Sequence, residues 1–66
     1  MPIVRVEMWT GRSRECKESL ARAITEVVVE KLGCPLQAVT VVLEETPKEN
    51  WMIGGKPCGE PHEGKP

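Results

Sequence analysis

One helical period framed by two strand periods restricts this chain more than any other feature. Across residues 14–32, Cys16, Leu20, Ala23, Ile24, Val27 and Leu32 recur at the spacing of one helix face, with Val28 alongside. The boundaries are chemically marked. Ser13 supplies an N-cap hydroxyl, and Glu15 lies in the first turn, where the helix dipole favours an acid. Lys31 lies in the last turn, Gly33 is suited to the left-handed C′ position, and Pro35 prevents continuation. Glu18, Arg22 and Glu26, at i, i+4 spacing, mark the solvated face. Cys16, small and apolar in behaviour, is expected on the core face.

Residues 3–9 alternate. Val4, Val6 and Met8 share one side, while Arg5 and Glu7 share the other with Ile3 and Trp9. Pro2 sits at the strand's head, where a missing ladder donor is tolerated, and Thr10-Gly11 ends the run. Residues 39–45 are rich in β-branched side chains and read as a second strand. Two strands joined through a long helix form a β-α-β unit, parallel and right-handed in its crossover. After a loop at residues 47–50, Trp51-Met52-Ile53 is a short apolar segment and Gly54-Gly55 a turn. The expected class is α+β, a single β-α-β unit with a short C-terminal hairpin. Residues 1–55 form the domain. Residues 56–66, with three prolines, two glycines and no apolar pattern, read as a mobile tail. There are no internal repeats.

A chain of 66 residues in this arrangement has a stability problem. A domain of this size buries roughly 60% of its unfolded surface, and ordering costs roughly 1.5 kcal/mol per residue. Such chains rely on disulfides, a metal or further subunits. Cys16, Cys34 and Cys58 are odd in number and widely spaced, unlike a secreted disulfide framework. Cys58 and the single histidine, His62, have ligand-like spacing, but a zinc site requires two more ligands. The sheet face away from the helix is open, with apolar residues and exposed edges that invite pairing with other copies. A homo-oligomer is the remaining solution. The net charge of −1, with both signs mixed along the chain, argues against a nucleic-acid surface. No basic-then-apolar leader and no long apolar run is present, so the reading is a soluble, cytoplasmic protein without membrane contact.

Several short motifs fall in order along the chain: Pro2-Ile3-Val4-Arg5-Val6, Gly11-Arg12-Ser13, Lys17-Glu18, Pro35-Leu36 and Ile53-Gly54-Gly55. Together they resemble the short-chain branch of the 4-oxalocrotonate tautomerase family over residues 2–55. The resemblance implies a homohexamer, a trimer of dimers with sites shared between subunits, and neither cofactor nor metal. It also implies removal of Met1, which would free the amine of Pro2 as the catalytic base. By the same resemblance Arg12 binds a substrate carboxylate, and Trp51, Trp9 and Ile53 line the pocket. Where the family carries a second arginine, this chain has Thr40, a hydroxyl without charge. Arg5 is a candidate source of the missing charge.

The chemistry suits those residue types. Tautomerisation moves one proton between carbon and oxygen or between two carbons, and one base performs both halves. That base must be unprotonated near neutral pH. Ordinary α-amines titrate at roughly 7.7–8.0, and a secondary amine is more basic still. Apolar walls and a nearby cation such as Arg12 both disfavour the ammonium form. The ring also holds the nitrogen rigidly at a strand's head, which limits orientational loss. The expected function is therefore a tautomerase acting on a small unsaturated 2-oxo or 2-hydroxy acid resembling 2-hydroxymuconate. The alternatives are hydration or dehalogenation of an unsaturated acid with a protonated proline, a biosynthetic tautomerase with a substrate other than a diacid, and a non-enzymatic assembly module.

Overall fold

The computed structural model describes residues 1–58. Strand β1 (Ile3–Trp9) leads through an irregular connection to helix α1 (Arg14–Leu32). A 3-10 turn at Leu36–Ala38 precedes strand β2 (Thr40–Thr46), and a second at Lys48–Asn50 follows it. Strands β3 (Met52–Ile53) and β4 (Lys56–Pro57) close the described chain. The β-α-β unit expected from the sequence is present, with β1 and β2 parallel and in register from Ile3↔Thr40 to Trp9↔Thr46.

Local chemistry sets the helix ends. The Ser13 side chain accepts from the Cys16 amide at 3.0 Å, which satisfies an otherwise unpaired first-turn donor. Gly33 takes φ 70° at the other end and donates its N–H to the Val29 carbonyl at 2.9 Å. That left-handed conformation costs glycine little.

The sheet has two unlike faces. Val4, Val6 and Met8 are half-buried toward the helix, while Ile3, Arg5, Glu7 and Trp9 are exposed on the outer face. The register adds Thr40, Val42, Glu44 and Thr46 to that outer face. Arg5 and Glu44 form an ion pair of 3.3 Å there, which offsets the like-charge pairing of Glu7 with Glu44. On the inner face Lys17 reaches Glu45 at 3.0 Å and ties the start of the helix to the end of β2.

The helix is rotated relative to the expected apolar stripe. Leu20, Ala21, Ile24, Thr25, Val28 and Val29 are half-buried, whereas Ala23, Val27 and Leu32 are exposed. Cys16 is exposed too, because in the first turn Lys17, not Cys16, turns toward β2. Ala23 and Val27 join Val4, Ile24 and Val28 around an open apolar depression of about 320 Å³. The apolar arc is thus wider than the two strands can cover. Among the described residues none is fully buried, and Val27 and Leu32 are 54% and 65% exposed.

The C-terminal hairpin expected from the sequence forms, but its second strand is Lys56–Pro57, inside the segment read as a tail from residue 56. Gly54 and Gly55 take φ 62° and 84°. Two successive positive angles are what a type I′ return requires, and they bring Lys56 back against Ile53. The Cys58 amide then donates to the Trp51 carbonyl at 2.7 Å. His62 and the rest of the segment read as a tail lie outside the described residues.

Candidate active site

The six residues singled out in the sequence divide between two ends of the subunit. At the heads of the parallel strands, Pro2 is held by its carbonyl, which accepts the Thr40 amide at 3.0 Å. Thr40 is the register partner of Ile3 and stands exposed on the outer face. The proline's position follows from its chemistry: without an N–H it can only begin the ladder, and its carbonyl makes the first rung.

The opposite end is aromatic. Trp9 closes β1, and the ladder continues for one bond beyond it, with the Thr10 amide donating to the Thr46 carbonyl at 3.2 Å. The turn at Lys48–Asn50 brings Trp51 back so that its ring meets Trp9 edge to face, with centroids 5.9 Å apart and planes at 82°. Lys48 Nζ lies 4.7 Å from the centroid of Trp9, within cation–π range. Beside these rings lies an open cavity of about 270 Å³ lined by Glu7, Thr46, Asn50, Trp51 and Met52. Arg12 is exposed in the connection after β1 and joins none of the ion pairs found among the described residues. Ile53 is exposed on the hairpin.

The fold therefore brings Trp9 and Trp51 together, and Pro2 and Thr40 together, but keeps the two pairs apart. Seven residue steps at about 3.3 Å each put roughly 23 Å between Pro2 and Trp9. Neither Pro2 nor Arg12 lines the cavity beside Trp51. Arg5 does not reach Pro2 as a free charge, since Glu44 engages it. The contribution of Lys48, Thr46 and Asn50 to the aromatic end was not apparent from the sequence. The one available signal was the lysine three positions before Trp51, and nothing in its spacing pointed to Trp9. Among the described residues no group of three His, Cys, Asp or Glu side chains is arranged to hold a metal ion. No helix among them is long and apolar enough to cross a membrane.

Residues 2–60 match the sequence model of the Tautomerase family, described as tautomerase enzyme. The 2-hydroxymuconate tautomerase of Pseudomonas fluorescens is 38% identical over 60 residues, covering 91% of this chain and 95% of that protein. The crystal structure of TomN, a 4-oxalocrotonate tautomerase homologue in the tomaymycin biosynthetic pathway, superposes with a TM-score of 0.84 at 41% identity, covering 88% and 89% of the two chains. The chain belongs to the 4-oxalocrotonate tautomerase family. It shares that family's β-α-β subunit with added short strands, and it is a tautomerase. A third relative of the 4-oxalocrotonate tautomerase family, the heterohexamer from Chloroflexus aurantiacus J-10-fl, matches with a TM-score of 0.84 at 35% identity over 91% of this chain and 97% of its own.

Proposed function

We propose that this tautomerase uses the free secondary amine of Pro2, exposed by removal of Met1, as a general base on a small unsaturated 2-oxo or 2-hydroxy acid resembling 2-hydroxymuconate. The amine takes a proton from the substrate's hydroxyl or carbon and returns it at another carbon of the conjugated system. Arg12 holds a carboxylate through its forked guanidinium. Trp9, Trp51 and Ile53 form apolar walls that keep the amine unprotonated by excluding water. Thr40, beside Pro2, offers a neutral hydroxyl to the substrate's oxygen.

The observation that carries this reading is the separation of the two ends. A subunit with Pro2 and Arg12 at opposite ends of one strand completes a site only by lending each end to a different neighbour. The open apolar depression at Val4, Ala23 and Val27, and the lack of any fully buried described residue, supply the reason for those neighbours to be present. The assembly proposed is a homohexamer, a trimer of dimers. It is consistent with the hexameric relative.

The test is an intact-mass measurement of the protein from cells, followed by ketonisation of 2-hydroxymuconate by wild type and Pro2→Ala. A chain lighter by one methionine, active as wild type and inactive as the alanine variant, is the expected result. Equal activity in the two proteins would refute the mechanism.

A further inference from the structure

We propose that Lys56 is a substrate-binding residue, the cation that receives the second carboxylate of a dianionic substrate in a neighbouring copy's site. The inference deepens the reading above and rests on its assignment of Ile53 to the pocket wall. The hairpin register then settles what lies beside that wall. Ile53 and Lys56 are direct partners across the two-residue glycine turn. Directly opposed residues of an antiparallel pair project from the same face, with Cβ atoms about 4.5–5.5 Å apart. A cavity that Ile53 walls is thus one that Lys56 reaches.

Alternation along β3 says which way that face looks. Met52 lines the cavity against the subunit's own strands, with Glu7 and Thr46. Its neighbour Ile53 points the other way and does not line that cavity; both residues are about half exposed, at 55% and 52%. Lys56 is likewise exposed and joins none of the ion pairs among the described residues. The pair is presented outward, to whatever copy abuts this corner.

The distribution of charge gives Lys56 a task. On the outer face beside Pro2 stands the uncharged pair Ile3 and Thr40. The next outer position holds Arg5, already engaged by Glu44. At the aromatic end Lys48 lies over the Trp9 ring. Among the described residues Arg12, Arg22, Lys31, Lys48 and Lys56 join no ion pair. Of these Lys56 alone is the direct cross-strand partner of a residue assigned to the pocket wall, which makes it the partner for a second carboxylate beside Arg12.

The experiment is calorimetric binding of two unreactive dienes, trans,trans-muconate and sorbate, which differ by one carboxylate. Wild type, Lys56→Met and Lys56→Arg are compared, with Pro2→Ala as a second background. Lys56→Met is expected to weaken muconate binding by about tenfold, as loss of one charge-assisted contact does, and to leave sorbate binding within about twofold. Lys56→Arg restores the preference for muconate. Equal losses for both ligands, no loss for either, or a wild type that does not prefer muconate overturns the proposal. Because neither ligand reacts, the outcome is independent of whether Pro2 is the base. Activity retained by Pro2→Ala would defeat that assignment while leaving the binding result to stand or fall by itself.

Discussion

The amide of Thr40 donates to the carbonyl of Pro2 at 3.0 Å, so the first bond of the parallel ladder is also the one that fixes the proposed catalytic ring. The contact uses only backbone atoms. Side chains at either position can be exchanged without releasing it, which makes this end of the molecule open to clean mutational tests.

Replacing Pro2 by alanine should leave the ladder and the circular dichroism spectrum unchanged while lowering kcat/KM by about 10²–10⁴, the usual contribution of a general base. The wild-type rate should fall on the acid side as the amine is protonated. Loss of rate only at high pH would instead indicate a proline acting as an acid.

Arg12→Ala should raise KM and reduce kcat/KM by about 10–100-fold, corresponding to a lost charged hydrogen bond of roughly 1.5–3 kcal/mol. Thermal stability should hold, because among the described residues Arg12 supports no ion pair. Arg12→Lys should recover only part of the activity, since an ammonium lacks the planar fork. A fall in melting temperature equal to the loss of activity would mark Arg12 as structural.

The edge-to-face pair of Trp9 and Trp51 should show coupling. In a double-mutant cycle of Trp9→Leu and Trp51→Leu followed by urea unfolding, the interaction term should be about 0.5–1.5 kcal/mol. Additive losses would mean that the 5.9 Å contact contributes no more than its separate buried areas.

Stability should depend on protein concentration. With no fully buried residue among those described, a lone subunit has little to hold it, and Tm should rise on concentrating the sample as mass action favours the assembly. Val27→Asp, which places a charge in the open apolar depression, should lower both Tm and the mass seen by light scattering. A monomer with a concentration-independent Tm would contradict the assembly.

The elements were legible where one residue type has one physical use. Ser13, Gly33 and Pro35 bound the helix because capping and termination have few chemical solutions, and α1 runs over the residues the pattern indicates. The alternation in β1 likewise sorted its residues into the two sets that the structure places on opposite faces. Helix rotation was harder. A stripe broader than its covering sheet does not reveal which edge stays open, and Ala23, Val27 and Cys16 proved exposed. The return strand at Lys56–Pro57 was hidden for a different reason: two rungs are too few for a period, and proline disguises a strand. At the candidate site, Pro2, Arg12 and the tryptophans were nameable from motifs. Their division between two ends, and the meeting of Lys48 with Trp9, depend on chain reversal and on parallel register, which no local pattern encodes.

A ribbon of seven residues holding the two halves of the proposed machinery apart would make a damaged copy repairable by its neighbours. A Pro2→Ala chain still contributes a sound aromatic corner, and an Arg12→Ala chain still contributes a sound amine. Blended before assembly, the two impaired variants should yield some intact centres and more activity than either alone, and a duplicated gene could let each descendant keep one half and abandon the other.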